Sequence, residues 1–231
     1  MYGYIDPWYF LLVVPALLIT GWAQFKVQST FKKYSQVGTR SGLTGADASR
    51  RIQQQNGISL PVEHVGGSLT DHYDPRTNTI RLSDTVYQSQ SIAAVGVAAH
   101  ETGHALQYAE QYGWIKFRMA ILPVSQFSSQ LSPYLVMVGL LFSIPFLAYA
   151  GIAFFCVALL FQLVTLPVEF NASARAIQAL EQGGVMTEEE LKGARKVLSA
   201  AALTYVGAVL VSLMSLLRLL IIVFGRGRRD D

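Results

Sequence analysis

The stretch "AAHETGHALQ", residues 98–107, holds two of the four histidines in this 231-residue chain. His100 and His104 are four positions apart, and Glu101 follows the first of them directly. Because an α-helix turns about 100° per residue, both imidazoles would lie on nearly the same face, one turn apart, and could reach one ion. Glu101 would lie far enough around the helix to contact a water held by that ion, which is the position that a general base needs.

The sequence around the pair favours a closely packed helix. The segment "SIAAVGVAAHETGHALQYAEQ" predicts a helix from about Ser91, as the N-cap, to Gln111. The residues before the motif are small, and Gly103 between the histidines would allow another backbone to approach closely. Two histidines at this spacing also occur on ordinary surface helices, so the pair alone leaves that interpretation open.

The composition is that of a membrane protein. The chain is 52% hydrophobic and 14% charged, whereas an ordinary soluble domain has about 25% charged residues. Its single cysteine, Cys156, lies in an apolar run and excludes an intramolecular disulfide and a cysteine-based zinc site. The net charge is +3, but basic residues form no long run and are not interleaved with aromatics, so nucleic acid is not an expected partner.

The apolar runs predict four membrane spans. Residues 7–25 carry no charge and are long enough to cross a bilayer, and residues 119–168 are uncharged over a length that fits two helices, near 129–147 and 150–168. Residues 197–217 supply a fourth span, and the apolar run resumes after Arg218, which could snorkel, as far as Phe224. The predicted organisation is a first span at 1–25, a catalytic domain at 26–118, a hairpin at 119–168, a helix at 169–196, a last span at 197–225 and a tail at 226–231.

Basic residues near the spans predict the orientation. Most of them flank the spans on one side: Lys26, Lys32, Lys33, Lys116, Arg118, Arg175, Lys192, Arg195 and Lys196. The positive-inside rule therefore places residues 26–118 and 169–196 in the cytoplasm and both termini outside. The basic tail, "GRGRRDD", opposes this assignment.

Between the first span and the motif, the pattern is mixed. "TGADASRRIQQQNG" predicts a helix that Thr44 caps, with Asp47 in its first turn and Asn56-Gly57 as a stop. "PVEHV" and "NTIRLS" predict short strands, and "DHYDPRTN" between them has turn residues.

Glu169 in "TLPVEFNASARA" is the candidate third ligand. It follows the third predicted span, where a carboxylate beside a long apolar stretch is costly unless it has a partner. Two histidines from one helix and a glutamate from another form a common catalytic zinc set. The predicted hairpin would return Glu169 to the side of the membrane that holds His100 and His104. A water-facing glutamate at the interface is the alternative.

Three blocks carry a family resemblance: "HETGHALQ", "DHYDPRTNTIRLS" and "LPVEFNASARA". Together they resemble the YugP-type membrane zinc metallopeptidases of bacteria, over most of the chain. The order of span, HExxH helix, hairpin and glutamate helix is also similar to the wider HtpX and CAAX prenyl protease group. The resemblance implies one Zn²⁺ per chain on His100, His104 and Glu169, with Glu101 as the catalytic base.

Further residues are candidates to support the site. In the wider group the ligand glutamate lies in an E-x-x-A-D pattern, but here Ser173 replaces the aspartate, so Ser173 or Asn171 is the candidate partner of a zinc histidine. His72, Tyr73 and Arg175 are candidates to stabilise the transition state. We expect the strand "NTIRL" (Asn78, Thr79, Ile80, Arg81, Leu82) to be the edge strand that holds an extended peptide by main-chain pairing.

These observations predict a mainly α integral membrane protein with about four transmembrane helices and a cytoplasmic, zincin-like α+β catalytic domain. The expected activity is zinc-dependent hydrolysis of peptide bonds in proteins, in the bacterial plasma membrane. Its expected partners are protein or peptide substrates, membrane lipid and a candidate regulatory membrane protein, and the oligomeric state is left open. A non-catalytic zinc-binding scaffold and a small ion transporter are the alternatives, although the former has no need of Glu101 and the latter leaves the histidine pair unexplained.

Overall fold

The structure, a computed structural model, describes residues 6–227. Residues 1–5 of the predicted first span and 228–231 of the predicted tail lie outside it. The described part is mostly helical, with a small mixed sheet. A π-helical turn, Tyr9–Val13, leads into the first helix, and the elements are α1 (Val14–Tyr34), α2 (Gly45–Gln55), β1 (Val62–Val65), β2 (His72–Asp74), β3 (Thr79–Ser83), α3 (Ile92–Ala109), α4 (Gly113–Leu141), α5 (Pro145–Gln182) and α6 (Glu188–Gly227).

The predicted caps of α2 and α3 are confirmed. The Thr44 hydroxyl accepts from the backbone N–H of Asp47, and the Asp47 carboxylate accepts in return from the backbone of Thr44, which completes a capping box. Asn56 ends α2, and Gly57 follows with a φ of 67°, a conformation that favours glycine. Ser91 caps α3 by accepting from the N–H of Ala94.

The sheet corrects the prediction of an edge strand at Asn78–Leu82. The strand order is β1-β3-β2, so β3 is the central strand, parallel to β1 and antiparallel to β2. Asn78 lies before β3, in a turn, with a φ of 54°. The alternation of residues could not show this order, because β1 pairs with β3 and not with β2, the strand that follows it in the chain. The free edges belong to β1 and β2.

The helix α3 lies between two apolar cores. On one side Val95, Ala99 and Leu106 join a cluster with residues of α2, α5 and α6. On the other side Ala94, Ala98 and Ala105 join a cluster with Ile80 and Leu82 of the sheet. Small residues on both faces therefore let α3 be buried almost completely.

Among the described residues, three helical stretches are long and apolar enough to cross a membrane: Tyr9–Tyr34, Pro145–Gln182 and Glu188–Gly225. The turn between α4 and α5 lies at 142–144, so the bounds expected for the two hairpin helices, near 129–147 and 150–168, are wrong: α5 already begins at Pro145. Residues 169–196 are not one helix either, because α5 ends at Gln182 and α6 begins at Glu188. Pro167 lies inside α5 and does not start a new helix.

Two compact units form along the chain. The first, here the apolar unit, contains 6–23, 116–166 and 203–227 among the described residues. The second, here the site unit, contains residues 24–115 and 167–202, and therefore α2, the sheet and α3. Both α5 and α6 contribute residues to each unit.

Within the apolar unit, α4 packs on α5 through a polar face. The Ser132 hydroxyl donates to the Gly151 carbonyl at 2.8 Å, and a Cβ at Gly151 would lie 2.8 Å from the Val136 nitrogen. Ser125 and Ser128 are buried as well, whereas the large apolar residues of α4 are exposed: Val124, Phe127, Met137 and Leu141. Three serines that lower the hydropathy of α4 therefore face the protein, whereas Gln126, Ser129 and Gln130 are exposed beside its large apolar residues.

Candidate metal centre

Three potential metal ligands meet inside the site unit. His100 and His104 extend from one face of α3, and Glu169 extends from the buried side of α5. One ligand atom of each lies within 4.8 Å of the others. Glu169 Oε2 lies 3.4 Å from Nε2 of His100 and 3.4 Å from Nε2 of His104. The structure thus brings together the three residues that the sequence predicts as ligands.

These separations fit a zinc ion. Zn²⁺ binds histidine nitrogen and carboxylate oxygen at about 2.0–2.1 Å, and tetrahedral angles then put two ligand atoms about 3.3–3.4 Å apart. Both nitrogen–oxygen distances in the site have this value. The chemistry of the donors, two imidazoles and one carboxylate, is also that of catalytic zinc sites.

The Glu169 oxygen gives a second indication of a cation. Oε2 is buried, and within residues 6–227 it has no hydrogen-bond partner. A buried carboxylate oxygen without a donor is costly, and a metal ion between it and the two imidazoles removes that cost. The residues present therefore fit the metal that their types predict.

A close contact between α3 and α5 makes this meeting possible. A Cβ on Gly103 would lie 2.6 Å from the Ala172 carbonyl oxygen and 3.2 Å from its carbon. Since real Cβ atoms essentially never come so near, only glycine permits this approach. Gly103 precedes His104, and Ala172 is one turn from Glu169 on α5, so the contact lies beside the ligands.

Glu101 is buried next to the cluster and is held by the sheet. Its Oε2 accepts a hydrogen bond of 3.0 Å from the backbone N–H of Tyr73 in β2. The Tyr73 ring lies against Tyr108 of α3, and its hydroxyl donates to Asn78 Oδ1 at 2.5 Å. The sequence-predicted Tyr73 therefore contacts Glu101 through its backbone, a role that its side-chain chemistry could not indicate.

The structure gives both histidines a partner for Nδ1. Nδ1 of His100 lies 3.1 Å from the Ser173 hydroxyl, which stands where the wider group has aspartate. Nδ1 of His104 lies 3.0 Å from Gln107 Oε1. The sequence prediction missed Gln107, although its position three residues after His104 on a helix was the available signal.

Asn171 and Arg175 of α5 continue the hydrogen bonds that begin at Gln107 of α3. Gln107 donates to Asn171 Oδ1 at 2.9 Å, and Arg175 Nε donates to the same oxygen at 2.8 Å. Another guanidinium nitrogen of Arg175 forms an ion pair of 2.7 Å with Glu110. These bonds place Arg175 with the groups that support His104.

The remaining histidines lie outside the cluster of ligands. His72 of β2 is exposed, and its Nδ1 donates to the Thr70 carbonyl at 2.8 Å. His64 of β1 is exposed and pairs with Asp84 at 2.5 Å.

Without a metal ion, the negative charge of Glu169 favours the protonated form of the His104 imidazole. Burial lowers the pKa of His104, but the Glu169 carboxylate outweighs burial and raises this pKa above its ordinary value. A metal ion must displace that proton, so its binding releases protons.

Comparisons with known proteins agree with this geometry. The family described as "Putative neutral zinc metallopeptidase" matches residues 9–224. The chain belongs to this family. It is 50% identical over 224 residues to the "Putative membrane protease YugP" of Bacillus subtilis (strain 168), which covers 96% of this chain and 99% of that protein. No solved structure gives a significant match.

Gly103→Ala tests the helix contact that builds the centre. The added methyl group cannot fit against Ala172, so α5 and its Glu169 must shift, and we expect zinc affinity to fall at least about tenfold. Gly96→Ala is the matched control on the same helix, because its Cβ would meet the Ala194 Cβ at an ordinary 3.5 Å. Chelator competition on the purified proteins measures both, and equal affinities for the two variants would contradict this account.

Proposed function

We propose that the chain is a membrane-embedded zinc endopeptidase that hydrolyses peptide bonds in membrane-associated or cytoplasmic proteins at the membrane surface. The observation that carries the proposal is the equal approach of Glu169 Oε2 to Nε2 of both histidines, beside a glutamate at the HExxH position. Membership in the zinc metallopeptidase family supports it.

In this mechanism His100, His104 and Glu169 would hold one zinc ion. When bound, zinc acts as a Lewis acid that makes water a usable nucleophile at neutral pH. Three protein ligands are the number that catalytic zinc sites use, with the fourth position taken by water or substrate.

Glu101 is the general base in the proposal. The Tyr73 N–H holds Oε2, so the other carboxylate oxygen, Oε1, is available to take the proton of the attacking water. The same carboxyl group then gives that proton to the leaving amine. The hydrogen bond from Tyr73 keeps the carboxylate oriented.

The substrate backbone would pair with the edge strand β2. It would not pair with Asn78–Leu82, because β3 is the central strand. In an antiparallel pair, the N–H and C=O of one residue point to the same side. The Tyr73 N–H points to Glu101, so its carbonyl also faces away from β3 and is free to accept from an extended peptide. This places the peptide beside the general base.

We further propose that α4 is a fourth span and that the site unit faces the cytoplasm. The buried serines and exposed apolar side chains of α4 suit a helix that contacts lipid on its outer face. With four spans, the basic residues concentrate on the side of residues 24–115 and 167–202, as the positive-inside rule expects.

Glu101→Gln tests the chemistry. Glutamine keeps the size of the side chain and can still accept from Tyr73, but it cannot take a proton. We expect full zinc content and a loss of about 10²–10⁴-fold in the cleavage rate of an unfolded test protein such as casein. Glu63→Gln, at an exposed ion pair with Arg81, is the control. Wild-type cleavage by Glu101→Gln would refute the mechanism.

Labelling with an impermeant maleimide tests the topology. In a background where Cys156 is replaced by alanine, Ser143→Cys lies in the α4–α5 turn and Ser68→Cys lies in the exposed β1–β2 loop. We expect labelling of position 143 on intact spheroplasts, and of position 68 only after the membrane is opened. Labelling of both positions from the same side would show that α4 does not cross.

A further inference from the structure

We propose that Arg175, Asn171 and Gln107 form a hydrogen-bond relay that fixes which ring nitrogen of His104 carries the proton. The inference rests on the proposed function, since it assigns positioning residues to the same metal centre. Because the relay holds the hydrogen on Nδ1, the neutral form of His104 presents its Nε2 lone pair to a metal ion.

The relay starts at a group that can only donate. The guanidinium of Arg175 has no acceptor, so the Asn171 atom that faces its Nε at 2.8 Å must be the amide oxygen. The ion pair with Glu110 and the ring of Tyr112, 5.8 Å away, hold Arg175 in place. The orientation of the Asn171 amide is therefore fixed by charge and chemistry.

Gln107 takes its orientation from two acceptors. Its side-chain nitrogen donates to Asn171 Oδ1 at 2.9 Å and to the Val168 carbonyl at 2.8 Å. Both of its N–H groups are then used, and neither acceptor can accommodate the amide oxygen instead. Gln107 is fully buried, so water cannot readily replace these partners.

The oxygen of Gln107 therefore faces His104. Oε1 lies 3.0 Å from Nδ1 and can only accept, so Nδ1 carries the hydrogen. In a neutral imidazole the other nitrogen, Nε2, then has the lone pair. Nε2 is the atom that faces Glu169 Oε2.

His100 lacks such a constraint. Its Nδ1 meets the Ser173 hydroxyl, which can donate or accept, so this contact allows either tautomer. The relay thus makes His104 the pre-oriented ligand of the pair.

Two substitutions of Asn171 distinguish the effect of losing its hydrogen bonds from the effect of changing its side-chain packing. Asn171→Asp keeps an oxygen that accepts from both Gln107 and Arg175, and we expect its zinc affinity within about threefold of wild type. Asn171→Leu has similar volume but no acceptor, and we expect zinc affinity to fall about 10–100-fold. Gln178→Leu, an exposed position on the same helix, is the control. Chelator competition with Zn²⁺ measures all four proteins.

A spectroscopic readout keeps the test independent of activity. In zinc-loaded protein with ¹⁵N-labelled histidine, wild type and Asn171→Asp should show a slowly exchanging Nδ1–H on a metal-bound imidazole, and in Asn171→Leu this Nδ1–H should exchange faster. If Asn171→Leu does not fold, Arg175→Leu beside Arg175→Lys repeats the comparison, with the lysine variant expected to keep more affinity.

The outcomes separate the two proposals. Wild-type protein that binds no zinc would overturn the proposed function. Zinc-binding wild type with an unaffected Asn171→Leu, or with Asn171→Asp as impaired as Asn171→Leu, would overturn the relay and leave the metallopeptidase proposal standing.

Discussion

The approach of α3 to α5 at Gly103 is the constraint on which the candidate site depends. The contact between Gly103 and the Ala172 carbonyl brings two helices together where their ligands are, and a larger residue at 103 would separate them. Alanines on the other faces of α3 allow the sheet and the remaining helices to close around it. The HExxH helix is thus a central packing element of the site unit as well as the bearer of His100 and His104.

Burial of polar groups in the interior of the site unit is costly unless each has a hydrogen-bond partner. Most groups behind the histidines have one: Ser173 contacts His100, and Gln107 contacts His104, Asn171 and the backbone of α5. Glu101 accepts a hydrogen bond from the Tyr73 N–H. Oε2 of Glu169 has none among residues 6–227, and it lies equally close to both imidazoles. A cation at the centre of this arrangement would give that oxygen the partner it lacks.

The sequence predicted that His100, His104 and Glu169 meet, because helix periodicity aligns the histidines and a carboxylate beside a long apolar run is costly without a partner. It also predicted the caps of α2 and α3, since these are local interactions. It was wrong about Asn78–Leu82, because strand order depends on the distant pairing of β1 with β3. Gln107 and the backbone of Tyr73 were missed for the same reason: their roles come from contacts with α5 and Glu101, which no local pattern contains.

The central claim is that Glu169 completes a zinc site with His100 and His104. Metal analysis of purified wild type, Glu169→Ala and the control Glu181→Ala tests it most directly, because Glu181 lies on the same helix but is exposed. The account predicts one zinc per chain in wild type and in Glu181→Ala, with loss of the metal in Glu169→Ala. Full zinc content in Glu169→Ala would contradict it.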